Sequence, residues 1–120
     1  MVFRLDKAKP ICPQIYEQFC LEIANGSIKP DEKLPSVREV ALMAGVNPNT
    51  VQKAFETLQA SMLVYSLRGS GWFASDNKET AQKIVDGLIK EKTAQYFESM
   101  RSFGLDDAQI KKYVEVFANE

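Results

Sequence analysis

Apolar residues recur along this chain at steps of three and four in five stretches, and each stretch predicts a helix. The first covers residues 13–25, where Ile15, Tyr16, Phe19, Cys20 and Ile23 share one face. Pro13 suits a first helical turn and Gly26 a stop. KPDEKLP then reads as a connector, with two prolines and no apolar period. In SVRE, Ser36 and Glu39 have the spacing of a reciprocal capping box, so a second helix follows, with Val37, Val40, Ala41 and Ala44 as its stripe and Gly45 as its end. Asn47 is a good N-cap and Pro48 falls at a first helical position, so a third helix begins almost at once. Its apolar stripe is Val51, Ala54, Phe55 and Leu58.

After Met62 the pattern changes. LVYSL and WFAS flank the glycine-containing RGSG, which predicts a two-stranded hairpin. Helical spacing resumes over 78–103 through Ala81, Ile84, Val85, Leu88, Ile89, Tyr96, Phe97, Met100 and Phe103. At about 1.5 Å per residue that helix spans roughly 39 Å. Gly104 breaks it, and Asp106 can cap a last helix striped by Ile110, Tyr113, Val114 and Phe117. The expected class is mainly α with a small β-hairpin, organised as a winged helix-turn-helix over 1–75 and a two-helix segment over 76–120.

Composition narrows the function. At 45% hydrophobic and 26% charged residues the chain is of ordinary soluble globular type. No apolar run approaches the roughly 18 residues of a membrane span, and the opening MVFRLDKAKP lacks a secretory apolar stretch, so a cytoplasmic protein is expected. There is no histidine, and the two cysteines, Cys12 and Cys20, read as buried thiols and not as half of a zinc site. No serine or cysteine has a visible activating partner. We therefore expect no catalytic residues, no metal, no cofactor and no enzyme.

Net charge is −1, which does not advertise a nucleic-acid partner. The division is uneven: eight Lys/Arg against seven Asp/Glu up to Ser75, and seven against nine beyond it. The stronger signal is a pattern. Two short helices crossing at a tight turn need a small residue at the contact, glycine in the turn and an apolar anchor on the second helix, as Ala41, Gly45 and Val51 supply. With the third helix seated on its stripe, Asn49, Gln52, Lys53 and Glu56 must point outward, with Thr50 beside them. Such a face suits a DNA major groove, because Asn and Gln pair with the adenine edge and Lys reaches guanine or phosphate. Arg38 is placed to clamp a phosphate. Arg68, Gly69, Ser70 and Gly71 form a hairpin tip that can approach a backbone or a narrow minor groove. Trp72 and Phe73 are expected to pack the hairpin onto the helices. The competing reading is a winged-helix module that offers the same face to a protein partner.

The segments NGSI, KLPSVRE, GVNPNTVQKAF and RGSGWF resemble the DNA-binding domain of the GntR family of bacterial transcription regulators, over residues 11–75. VNPNTVQKA in particular is similar to the YtrA-type subfamily. The resemblance implies DNA contacts at Ser36, Arg38, Asn47, Asn49, Thr50, Gln52, Gly69 and Gly71, and a homodimer held by the two C-terminal helices. Its dimer contacts would be Ile84, Val85, Leu88, Ile89, Tyr96, Phe97, Met100, Ile110, Val114 and Phe117. It implies a repressor on an inverted-repeat operator of double-stranded DNA, suggests a transporter operon as the regulated unit, and names no effector. The chain departs from the family at Asp31, where glycine is usual, at Pro48 and Gln52, where other branches place arginine, and at Trp72, commonly threonine.

Overall fold

Local capping chemistry sets most of the element boundaries in the structure, a computed structural model that describes residues 1–120. Helix α1 is Ile11–Ala24 and starts two residues ahead of expectation. Gln14 explains the earlier start: its amide donates to the carbonyls of Asp6 (3.0 Å) and Pro10 (2.8 Å), while its Oε1 accepts from the Asp6 amide at 2.7 Å. The preceding chain is thereby folded back over the first turn.

Helix α2, Val37–Ala44, carries the full capping box: the Ser36 hydroxyl accepts from the Glu39 amide and the Glu39 carboxylate accepts from the Ser36 amide, both at 3.1 Å. It ends at Gly45, whose φ of 68° lies in the left-handed region that glycine enters without a Cβ clash. Asn47 then caps α3, Pro48–Ala60, through a 2.8 Å bond from the Asn49 amide to its Oδ1. Three residues separate the two helices, so their axes must turn sharply. At its far end α3 closes in a Schellman motif, with Leu63 N donating to the Leu58 carbonyl and Met62 N to that of Gln59.

Strands β1, Val64–Leu67, and β2, Gly71–Ala74, pair antiparallel with Tyr65 opposite Phe73. The KPDEKLP connector is more ordered than its sequence suggests. It runs along the free side of β2, where the amides of Asp31 and Leu34 donate to the carbonyls of Ala74 and Trp72 and the Ala74 amide donates back to Glu32. A bridge between Lys33 and Phe73 completes the edge. The pairing partner lies some 40 residues away, which is why no local period announced it.

The chain divides into two units, Met1–Val85 and Asp86–Glu120. The core of the first is a line of aromatic rings from Phe3 to Phe19 (6.1 Å), Phe55 (5.2 Å) and Trp72 (5.5 Å). Ile15, Val40, Val51, Leu58 and Leu63 are buried around it. At roughly 1.5–3 kcal/mol per fully buried large side chain, this cluster dominates the stability of the head. Trp72 packs the hairpin against α3 as expected, but Phe73 stacks instead on its cross-strand partner Tyr65 at 5.6 Å. The alternation of a strand sends successive side chains to opposite faces, so both could not face the helices.

Helix α4, Lys78–Arg101, contributes Ala81 and Val85 to that core, with Ile84 packed beside them. In the second unit Asp106 and Gln109 form another capping box at the start of α5, Asp107–Ala118. Arg101 bonds Asp107 at 2.9 Å and lies over the Phe97 ring. Three residues expected at a dimer contact are therefore engaged within the chain: Val85 and Ile84 in the head core, and Ile110, which is fully buried. The first two turns of α4 fold onto the head, and helical period alone does not say which partner a stripe meets. Leu88, Phe97 and Met100 are half-buried, whereas Ile89, Tyr96, Val114 and Phe117 are exposed.

Candidate nucleic-acid interface

Four side chains fix the orientation of α3: Val51, Ala54, Phe55 and Leu58 have no exposed surface. Because helix faces repeat every 3.6 residues, locking these inward turns the positions between them out. Asn49, Lys53 and Glu56 are exposed, and Thr50 and Gln52 half-buried at the edge of the face. The Gln52 amide donates to the Glu56 carboxylate one turn on, at 3.2 Å. This is a polar, groove-sized helix face standing on a rigid apolar base.

Ser36 and Asn47 have double roles. Each uses a side-chain oxygen to cap a helix, which leaves the Ser36 hydroxyl proton and the Asn47 amide hydrogens to donate outward. Arg38 is exposed on the first turn of α2 and, like Lys53 and Arg68, enters no ion pair within the protein. Uncommitted guanidinium and ammonium groups of this kind suit phosphate oxygens.

At the hairpin tip, the Ser70 amide donates to the Leu67 carbonyl at 2.9 Å, and Gly69 and Gly71 take φ of 81° and 108°. Arg68, Gly69, Ser70 and Gly71 are all exposed. Wing and α3 are not independent: the edge-on contact of Trp72 with Phe55 couples the hairpin to the helix that Gln52 and Lys53 decorate. Threonine, the residue expected at position 72, could not make that ring contact.

Two cations escape a reading of sequence alone. Lys33 lies against the wing, its Cε 3.4 Å from where a Cβ on Gly71 would sit, which places a further cation beside the hairpin tip. Lys7 donates to the carbonyls of Ala44 (3.2 Å) and Gly45 (3.1 Å) at the end of α2. Both depend on contacts between distant segments.

A capped helix pair crossing at a glycine turn, followed by an antiparallel wing, is a winged helix-turn-helix, the architecture of a DNA-binding regulator. The chain belongs to the GntR family: the model for bacterial regulatory proteins of that family matches residues 13–74. Within the family it falls with the YtrA type. The HTH-type transcriptional repressor YtrA of Bacillus subtilis is 35% identical over 109 residues, covering 88% of this chain and 82% of that one. A GntR family transcriptional regulator from Listeria monocytogenes superposes with a TM-score of 0.78 at 31% identity, covering 92% of this chain and 97% of the other. The DNA-binding domain of AraR, solved in complex with operator ORX1, is similar over 59% of this chain and 87% of its own, with TM-score 0.54 and 33% identity. No helix of the protein is long and apolar enough to cross a membrane.

Proposed function

We propose that this regulator is a cytoplasmic homodimeric repressor that occludes a promoter by binding an inverted-repeat operator, with α3 of each copy in a major groove. The observation that carries the reading is the α3 face, where Asn49, Gln52 and Lys53 stand outward over Val51, Ala54, Phe55 and Leu58, all fully buried. Ser36, Arg38, Asn47 and Thr50 act on the flanking phosphates, and Arg68 to Gly71, with Lys33, on the backbone beside the wing. The AraR domain seen on its operator and the name of the YtrA repressor support this assignment. The YtrA likeness also favours a transporter operon as the regulated unit.

Dimerisation draws on the second unit, where Ile89, Tyr96, Phe103, Tyr113 and Phe117 are between 45% and 79% exposed. Apolar helix faces of that extent are stable in water only when covered. Selection of bound fragments from random duplex DNA tests the reading. Recovery of an inverted repeat with half-sites roughly one helical turn apart, about 10 base pairs, is expected. Asn49→Ala and Gln52→Ala should each weaken that operator by roughly 5- to 150-fold with the circular dichroism unchanged. Failure to enrich any sequence, or full binding by both variants, would leave the protein-interaction module as the better account.

A further inference from the structure

We propose that Glu56 is a specificity-determining positioning residue: by holding one amide hydrogen of Gln52, it commits that side chain to reading adenine. This rests on α3 lying in the major groove. A glutamine side chain carries two N–H donors on nitrogen and one carbonyl acceptor, and it rotates freely enough to present either end. In the structure the Gln52 nitrogen donates to a Glu56 oxygen at 3.2 Å. The two residues are four apart on one helix and so share a face.

The bond has two consequences for the remaining edge. With one hydrogen held, Gln52 offers a single N–H and its carbonyl oxygen, side by side. That pair complements adenine, which presents an N7 acceptor and an N6 donor, and mismatches guanine, which presents acceptors at both N7 and O6. Turning the amide over would aim its carbonyl at the Glu56 carboxylate, two acceptors with no hydrogen between them, so the alternative presentation is closed off. Both effects strengthen once DNA expels water from the groove, because a carboxylate left there without its donor is unsatisfied. Glu56 itself touches no base. Its negative charge, which would otherwise oppose binding to a polyanion, is retained for what it does to Gln52.

The test uses the full-length chain, its selected operator and the set of operators carrying each base pair at the position that Gln52→Ala relaxes. Wild type should prefer adenine over guanine there by about tenfold or more. Glu56→Ala should cut that ratio by about fivefold, toward the ratio of Gln52→Ala, and adding Glu56→Ala to Gln52→Ala should change the ratio no further. Glu56→Gln is isosteric and keeps a good helix former at the position, but its amide can also donate to the turned Gln52 carbonyl, so it too should lower the ratio, with the circular dichroism unchanged, which a loss of helix stability would not produce. Glu56→Ala that raises affinity for all four operators equally overturns the proposal, since the carboxylate then acts only as a charge. So does a change confined to a neighbouring cytosine, whose N4 amine Glu56 would then read directly. If Gln52→Ala relaxes no position while the operator is still selected, the positioning role fails but the regulator reading stands; if no sequence is selected at all, both fail.

Discussion

Gly45 and Met62 hold the same left-handed backbone conformation, at φ of 68° and 63°, at the ends of consecutive helices. One is a glycine and the other is not, so substitutions there should act with opposite sign. Met62 is 68% exposed and sits at the position after the cap of a Schellman motif, where glycine is the favoured residue. Met62→Gly should stabilise the protein by roughly 0.5–1 kcal/mol, the relief of strain exceeding the added freedom of the unfolded chain. At Gly45 a Cβ would meet nothing closer than the Lys7 ammonium at 3.9 Å, an ordinary contact, so Gly45→Ala costs only its backbone strain, about 1 kcal/mol. Urea midpoints at constant slope measure both. Cys20 adds a pH dependence. Burial pushes its thiol up from 9.0 to about 11, so the folded state holds the proton more tightly than the unfolded one. The stability this provides is complete below about pH 9 and is lost as pH rises through about 11. Denaturation curves on either side of that window should show the loss, and Cys20→Ala should flatten it.

At the scale of elements, what the sequence discloses depends on how far each signal reaches. Ser36 with Glu39, Asn47 with Pro48, and Asp106 with Gln109 act within three residues, and the caps they form in the structure lie where the sequence puts them. The α3 stripe was equally legible, since Val51, Ala54, Phe55 and Leu58 repeat on one face and are all buried. The edge formed by residues 31–34 on β2 and the place of Lys7 were not, because each is decided by a contact 37 or more residues away, while the Phe73 stack on Tyr65 turns on which face of the hairpin meets the helices. The α4 stripe was read correctly as apolar, but periodicity carries no information on whether Val85 meets the head or another copy. Of the site, the outward-facing side chains followed from the stripe, whereas the Gln52 to Glu56 bond and the wing position of Lys33 required coordinates. Lys7 shows what a distant contact contributes. Its ammonium lies on the last carbonyls of α2, where the helix dipole favours a cation and which adjoin the turn into α3. Lys7→Met should lower stability by about 0.5 kcal/mol, and Lys7→Arg should recover most of it, read from the same urea midpoints.

Charge and exposed apolar surface together decide how the whole molecule can bind DNA. With net charge −1, and the cations of the head nearly balanced by its acids, one copy has little long-range attraction for a duplex. Arg38, Lys53, Arg68 and Lys33 are few contacts for one head to rely on. Two tethered heads double the phosphate contacts and bind the second half-site at high effective concentration, so a weakly cationic chain needs the dimer more than a basic one would. The exposed residues of the second unit locate the test. Phe117 is 79% and Ile89 57% exposed, and neither belongs to the head core, so Ile89→Glu with Phe117→Glu should leave the head folded. Sedimentation should then show a monomer where wild type should show a dimer. Operator affinity should fall by roughly 10²–10⁴. The dependence of log affinity on log salt should also become about half as steep, because its slope of about −0.9 per neutralised phosphate counts the contacts of one head instead of two. An unchanged slope with lower affinity would mean that a single head makes all the phosphate contacts, and a double variant that still sediments as a dimer would place the interface on other residues.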